Sequence, residues 1–178
     1  MRRTVIGIVG AGEPSEEHRR NARELGRLIA EQGWIVLTGG RPAGVMAAAC
    51  AGAKEVAGSL TLGILPTAEG GVDPHVDLAV FTGMGDARNV VNVLSSDAIV
   101  ACGVEGAGTA SEIAHALKAR RPVILLAAGT NAADFFTGLP GGERVTIASK
   151  PHDAMRALHA LLALPSSPPE AGAAPSWP

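Results

Sequence analysis

Seven short apolar runs alternate with helical patterns along most of the chain, and this alternation constrains the fold more than any other feature. The runs carry almost no charge, which is typical of strands buried on both faces of a parallel sheet. Strands that alternate with helices favour an α/β fold. We therefore predict a Rossmann-like, doubly wound, mainly parallel sheet of about six to seven strands with helices on both faces. The predicted strands are Thr4–Val9, Trp34–Thr38, Leu60–Leu65, Val76–Phe81, Ala98–Ala101, Pro122–Leu126 and Val145–Ala148.

The segments between these runs have helical spacing and recognisable start signals. Ser15 is expected to cap the first helix and Asp86 the third, because short polar side chains accept hydrogen bonds from free amides. Residues 1–164 are predicted to form one ligand-binding domain, and the Pro-, Ser- and Ala-rich residues 165–178 a flexible tail. The predicted helices are Ser15–Glu31, Gly44–Val56, Ala87–Ser96, Glu112–Arg120 and Pro151–Leu164.

Three glycine-rich loops follow predicted strands, at residues 10–12, 39–44 and 103–108. The carboxyl ends of parallel strands meet at one edge of the sheet, where ligands of such folds bind. Glycines let backbone amides approach a ligand, and helix N-termini there favour anions such as phosphate. The loops therefore predict an anion site. Its candidate residues are Gly10, Gly12, Gly39, Gly40, Arg41, Gly106, Gly108 and Thr109.

Three further polar positions, together with Thr109, allow two interpretations each. Arg88 is predicted in the first turn of a helix, where a cation opposes the helix dipole, so a nearby anionic ligand explains it better than a salt bridge to Asp86 or Glu105. Asn89 faces either the ligand or solvent. Thr109 and Glu112 have the spacing of a capping box, but Glu112 is also a candidate ligand or catalytic carboxylate.

Two common nucleotide motifs are incomplete. The loop at residues 10–12 lacks the last glycine of the dinucleotide fingerprint, and the second strand ends at Thr38 rather than at an acidic residue. The loop at residues 39–44 has Walker A glycine spacing, but Val45 and Met46 replace the lysine and the hydroxyl residue. We therefore expect neither an ordinary NAD site nor ATP hydrolysis.

The composition of the chain limits the kinds of partner that we expect. The chain of 178 residues is 47% hydrophobic and 18% charged, with a formal net charge of −2 and no basic stretch, so we expect no nucleic-acid partner. No apolar run approaches a membrane span and no signal-peptide pattern begins the chain, so we expect a cytoplasmic protein with no membrane contact. The histidines and the two cysteines, Cys50 and Cys102, show no metal-ligand spacing, so we expect no structural metal.

The third loop and the helix before it carry a family resemblance. Gly106-x-Gly108-Thr109-x-x-Glu112 resembles the PGGxGTxxE motif of the SLOG superfamily, which includes the LONELY GUY and "lysine decarboxylase-like" proteins. Val104 and Glu105 stand where that motif has Pro-Gly. The superfamily's Arg-Lys pair is represented by Arg88 and Asn89, so the arginine is kept and the lysine is not.

These departures make the chain most similar to the molybdenum cofactor carrier proteins and their bacterial relatives. The resemblance implies a Rossmann-like fold, a homo-oligomer and a small phosphate-bearing ligand, either the molybdenum cofactor as cargo or a nucleotide. We favour a binding or carrier protein over an enzyme. The alternative is a nucleoside 5′-monophosphate phosphoribohydrolase of the LONELY GUY type, in which Arg88 and Glu112 would be the catalytic pair. A ligand-sensing interaction module is a third interpretation.

Overall fold

The structure is a computed structural model that describes residues 2–163, so the predicted tail lies outside the described residues. Seven strands form one sheet: β1 (Val5–Gly10), β2 (Ile35–Thr38), β3 (Thr61–Leu65), β4 (Leu78–Phe81), β5 (Ala98–Cys102), β6 (Val123–Leu126) and β7 (Val145–Ala148). Six α-helices join them: α1 (Glu16–Glu31), α2 (Gly44–Ala53), α3 (Arg88–Leu94), α4 (Ala107–Lys118), α5 (Thr130–Gly138) and α6 (Pro151–Ala163). Short 3-10 turns precede α3 and β7, at Gly85–Ala87 and Gly142–Arg144.

The order of the strands puts a topological switch point at the centre of the sheet. The strands lie in the order β4-β3-β2-β1-β5-β6-β7, and every neighbouring pair is parallel. The chain builds outward from β1 to β4, returns to the middle, and builds outward again from β5 to β7. The prediction of a doubly wound parallel sheet is confirmed, and its switch point lies between β1 and β5, where ligands of such folds bind.

Helices cover both faces of the sheet and bury two separate apolar cores. On one face α1, α2 and α6 pack against alternate strand residues such as Ile6, Ile8 and Val100, all fully buried. On the other face α3, α4 and α5 pack against residues such as Ile99 and Leu125. This alternation is the period-2 pattern of a strand covered on both sides, and it explains why the apolar runs are continuous.

Close packing of α1 on α2 fixes the loops that precede them. A Cβ atom added at Gly26 would lie 2.1 Å from the carbonyl oxygen of Ala49, and one added at Gly52 would lie 1.8 Å from that of Arg23. Only glycine permits such contacts, so the two helix backbones touch. The first and second glycine loops, which lead into these helices, are therefore held side by side.

Three local predictions differ from the structure. The helix after the third loop begins at Ala107, with Gly106 as its N-cap and no capping side chain, so the capping-box prediction for Thr109 and Glu112 is wrong. Asp86 does not cap α3, because a 3-10 turn runs directly into Arg88. The chain between β6 and β7 forms α5, which was not predicted because its only buried helical residue is Phe136. The predicted cap at Ser15 is confirmed, since its Oγ accepts from the amide of His18 at 3.2 Å.

Candidate functional site

A cavity of about 260 Å³ lies at the carboxyl edge of the sheet, beside the switch point. All three glycine loops border it, together with the first turns of α3 and α4. Ten of the eleven predicted ligand residues line it: Gly10, Gly12, Gly39, Arg41, Arg88, Asn89, Gly106, Gly108, Thr109 and Glu112. The lining residues that were not among these candidates are Ile8, Val9, Ala11, Met46 and Asp86.

Gly40 is the predicted residue that does not line the cavity. Its amide donates to Thr38 Oγ1 at 3.1 Å, and its carbonyl accepts from the amide of Asp73 at 2.9 Å. It has a φ of 71°, and a Cβ there would lie 3.0 Å from the Cα of Gly63. The structure therefore places Gly40 beneath the loop, where it shapes the turn that presents Gly39 and Arg41.

The first and second loops lock together at the start of α2. Gly44 has a φ of 53°, and a Cβ there would lie 2.2 Å from the carbonyl oxygen of Ala11. The amide of Val45 donates to that same carbonyl at 3.1 Å. A Cβ at Gly10 would lie 2.6 Å from Val45 Cγ2. These contacts hold the two loops against each other, and together the loops form one wall of the cavity.

The third loop presents the free N-terminus of α4 to the cavity. The first helical hydrogen bond runs from the amide of Ala110 to the carbonyl of Gly106, at 3.1 Å. Within residues 2–163 the amides of residues 107–109 find no acceptor, and no side chain caps them. Gly108 has open space where a side chain would project. Free amides at a helix start carry partial positive charge, so this corner of the cavity suits an anion.

Arg88 lies buried across the cavity from these amides. Its Nη1 atom is 3.8 Å from Glu112 Oε1, and only 7% of each residue is exposed. A Cβ at Gly39 would lie within 2.8 Å of both terminal guanidinium nitrogens, so the missing side chain makes room for Arg88. Its Nε atom has no hydrogen-bond partner in the described part of the chain. The less favoured alternative, a salt bridge from Arg88 to Asp86 or Glu105, is not formed, and the carboxyl group beside Arg88 is that of Glu112.

Glu112 is held by one more residue, which sequence reasoning missed. Asn92 Nδ2 donates to Glu112 Oε1 at 3.0 Å, and Asn92 is fully buried. Its own Oδ1 has no partner among residues 2–163. Asn92 stands one helical turn after Arg88, on the same face of α3, and this i,i+4 spacing was the available signal. The site therefore keeps unsatisfied buried polar atoms beside an ion pair.

Burial shifts the protonation of this pair away from ordinary values. Burial raises the pKa of Glu112, against the opposing effects of Asn92 and Arg88. Burial lowers the pKa of Arg88, which Glu112 raises and Arg41 lowers further. The raised pKa makes the carboxyl group of Glu112 easier to protonate, whereas the arginine remains charged because its ordinary pKa is far above neutral pH. The balance favours an anion as the missing partner.

Asn89 fixes the distance between α3 and α4. Its Nδ2 donates to Ser111 Oγ at 3.2 Å, and Ser111 Oγ in turn donates to the carbonyl of Gly108 at 2.7 Å. Asn89 thus lines the cavity and also positions the helix start that carries the free amides. The sequence offered a ligand role or a solvent role for Asn89, and the structure places it 8% exposed in the wall.

Neither cysteine lines the cavity. Cys102 is buried at the end of β5, and burial raises the pKa of its thiol to about 12. Cys50 is buried in the core, with a pKa raised to about 11. Among residues 2–163, no three or more His, Cys, Asp and Glu side chains gather in a way that could hold a metal ion. No helix within those residues has the length and apolarity of a membrane span.

The chain belongs to the SLOG cluster4 family, whose family model matches residues 3–155. The predicted superfamily is thereby confirmed. An uncharacterized protein of Archaeoglobus fulgidus is 45% identical over 126 residues, which are 71% of this chain and 82% of that protein.

Two solved structures share both the fold and much of the sequence. The molybdenum cofactor binding protein of Rippkaea orientalis is 45% identical, with a TM-score of 0.86 over 91% of this chain and 99% of that one. The molybdenum cofactor carrier protein of Chlamydomonas reinhardtii is 44% identical, with a TM-score of 0.86 over 92% of this chain and 100% of that one. Both alignments span essentially the whole described domain.

Proposed function

We propose that this protein binds and carries the molybdenum cofactor, a pterin that bears a phosphate, in the cavity at the carboxyl edge of the sheet. The observation that carries the proposal is the free N-terminus of α4, which borders the same cavity as buried Arg88. The similarity to two proteins named for binding or carrying this cofactor supports the identity of the cargo.

The charges of the cavity match a phosphate ester. A phosphate monoester carries about −1.5 to −2 charges at neutral pH and offers several acceptor oxygens. Arg88 and Arg41 line the cavity and supply positive charge, and the free amides at the start of α4 supply donors. Burial of Glu112 favours the protonated form of its carboxyl group, which reduces its repulsion of a phosphate.

The apolar part of the lining leaves room for a heterocycle. Ile8, Val9 and Met46 give the cavity an aliphatic floor beside the phosphate corner. The volume of 260 Å³ is close to the lower end of the ~300–1,000 Å³ usual for small-molecule sites. We infer that the phosphate takes the inner corner and that the ring system extends toward the mouth. Gly10, Gly12, Gly39 and Asn89 would then approach the ligand from the wall.

Native mass spectrometry of gently purified protein tests the cargo. Protein expressed in a host that makes the cofactor should carry a mass that dissociates to the pterin phosphate. The same protein from a host without cofactor biosynthesis should lack this mass and should bind the cofactor when it is supplied. A purine nucleotide in its place would contradict the pterin assignment, and an empty protein that gains no cofactor would contradict the carrier function.

Nucleotide hydrolysis is the second candidate, and the Arg88–Glu112 pair favours it, because a buried carboxylate beside an arginine can stabilise a ribosyl transition state. Our proposal is a carrier without this activity. Chromatography of AMP and related monophosphates incubated with the protein should then show little free base or ribose 5-phosphate. Turnover near ~1 s⁻¹ or above that disappears in Glu112→Gln would make the protein a phosphoribohydrolase.

Homo-oligomer formation belongs to the same proposal. The edge strand β4 exposes apolar side chains, with Leu78 56%, Val80 45% and Phe81 43% accessible in the single chain. An apolar sheet edge invites pairing with another chain. Light scattering should give a multiple of the chain mass, and Phe81→Glu should lower that mass. A monomeric wild-type protein would contradict the proposed homo-oligomer.

We also place the protein in the cytoplasm without a nucleic-acid partner, in keeping with its net charge of −2.

A further inference from the structure

One histidine ring joins three segments of the carboxyl edge. His18, in the first turn of α1, has its Nε2 atom 3.1 Å from the carbonyl oxygen of Ala127, in the turn between β6 and α5. Its Nδ1 atom lies 2.9 Å from Glu105 Oε1, in the third glycine loop. The ring also packs on Gly103, where a Cβ would lie 2.5 Å from ring atoms.

Both ring nitrogens face oxygens that can only accept. A carbonyl and an ionised carboxylate have no proton to donate, and a neutral imidazole has one N–H group and one lone pair. A neutral ring would therefore direct its lone pair at one of the two oxygens. The imidazolium form satisfies both. Nδ1 is buried without a well-directed hydrogen bond, so charge attraction holds Glu105 more than hydrogen-bond geometry does.

The backbone on both sides of this ring has positive φ angles. Gly103 has a φ of 70°, and Ala127, although not a glycine, has a φ of 53°. A non-glycine residue in this region persists where its surroundings hold it. The amide of Ala127 donates to Ala148 at 2.8 Å, and its carbonyl is the one that faces His18. Glu105 directly precedes the N-cap of α4, so the free amides of α4 depend on where Glu105 is held.

Few other charges act on the ring. Among residues 2–163, Glu105 is the carboxylate within ion-pair distance of His18, and neither Gly103 nor the Ala127 turn adds an ionisable side chain at that distance. The first turn of α1 contains Glu16 and Glu17, which favour the imidazolium, and the N-terminus of α1 opposes it. Glu16 lies 3.4 Å from Arg19.

We propose that His18 is a positioning residue that, when protonated, latches Glu105 and holds the third loop with its amides facing the cavity. Loss of the proton releases Glu105 and loosens the start of α4. Because the latch needs the imidazolium form, loop order and anion affinity both fall as the pH rises. The consequence for the ligand rests on the proposed function, whereas the latch itself does not.

Amide hydrogen exchange of the ligand-free protein tests the latch directly. After correction for the intrinsic rate, protection of the peptide that covers residues 103–112 should fall roughly two- to fivefold between about pH 5.5 and about pH 8, the range for one partly exposed ion pair. Peptides of β1 and β5 should keep their protection. A wild-type loop with the same protection at both pH values would overturn the proposal.

Variants separate the latch from simple packing. Glu105→Gln keeps the size of the side chain and removes its charge, so the loop should be equally mobile at both pH values. His18→Gln should have the same effect. His152→Gln replaces an exposed histidine of α6 and is the matched control, which should behave like wild type. If His18→Gln does not fold, Glu105→Gln still tests the latch. Loop protection that remains pH-dependent in a folded Glu105→Gln protein would refute the latch.

Sulfate binding measures the consequence at the site. Sulfate keeps its charge across this pH range, so any change in affinity belongs to the protein. Wild-type affinity should fall roughly two- to fivefold from about pH 5.5 to about pH 8, and Glu105→Gln should bind with the weaker affinity throughout. Sulfate affinity that stays constant while the loop loosens would refute the link between latch and binding. Failure to load the molybdenum cofactor, with pH-dependent exchange intact, would remove the proposed function and leave the latch in place.

Discussion

The two edges of the sheet use the same kinds of charged residue in opposite ways. At the amino edge, Asp77 accepts from the amide and hydroxyl of Thr61 and from Lys54 Nζ, all within 3.1 Å. Hydrogen bonds from Lys54 and Thr61, with the charge of Lys54, outweigh burial and lower the pKa of Asp77. At the carboxyl edge, Glu112 accepts one hydrogen bond, lies 3.8 Å from its cation, and has a raised pKa.

The comparison distinguishes an ion pair that stabilises the fold from an ion pair that is arranged to bind a ligand. Asp77 joins the starts of β3 and β4 to the end of α2 and has its partners within the chain. At the carboxyl edge Arg88, Asn92 and the start of α4 retain polar atoms without partners in the described residues. Buried polar atoms are normally paired, so a group of unpaired ones at a cavity indicates a missing partner. Four substitutions test this contrast.

The largest expected effect comes from Gly108→Val. Gly108 lines the cavity and a Cβ there would meet nothing within 4 Å, so the valine side chain should fit the fold and obstruct the anion corner. Calorimetry should detect no cofactor or sulfate binding, while circular dichroism and melting temperature stay near those of wild type. Gly138→Val is the matched control, because Gly138 is also helical with open space but lies off the cavity. Normal affinity in folded Gly108→Val would remove the third loop from the site.

Arg88→Ala should have the second-largest effect. Loss of a charged hydrogen-bonding group should weaken anion binding by about 1.5–3 kcal/mol, measured by titration calorimetry. Without ligand, the variant leaves Glu112 buried without its cation, which raises the pKa of Glu112 further. The loss of stability should therefore be smallest at acid pH, where the carboxyl is protonated in both proteins, and should grow as the pH rises. Weaker apo stability at every pH combined with normal binding would show that Arg88 is structural.

The sequence predicted the scaffold well and the site in part. Continuous apolar runs predicted all seven strands, and in the five inner strands the runs reflect burial on both faces of the sheet. The glycine loops identified the edge of the sheet, since their positions follow from strand ends. The Arg88–Glu112 pair joins residues 24 positions apart, so no local pattern contains it.

Local rules failed where the site overrides them. Thr109 and Glu112 matched a capping box, yet α4 starts earlier, at Ala107, and leaves its first amides free. Asp86 matched a helix cap, yet it lines the cavity. A capping side chain would have bound the amides that an anion is proposed to bind. The sequence rule therefore predicts a capped helix, whereas the start of α4 has amides that are free to bind a ligand. Such failures are expected at functional sites.

The smallest effects compare the two carboxyl groups directly through the pH dependence of unfolding. Asp77 has a lowered folded-state pKa, so its stabilisation is present above its unfolded value of about 3.9 and is lost as the pH falls through the folded value. Asp77→Asn should therefore cost roughly 1 kcal/mol near neutral pH, a typical net value for such a contact, and less in acid. Urea denaturation at several pH values measures both.

Glu112 should show the opposite sign. Its raised folded-state pKa means that its contribution is complete below its unfolded value of about 4.3 and is lost as the pH rises through the folded value. Glu112→Gln removes this ionisation, so its stability relative to wild type should improve with rising pH, by less than about 1 kcal/mol because Arg88 then loses its partner. Equal slopes for the two variants would mean that the edges are electrostatically alike. Opposite slopes would show that the amino edge is stabilised by its charge and that the carboxyl edge holds its charge at a cost that a bound anion can offset.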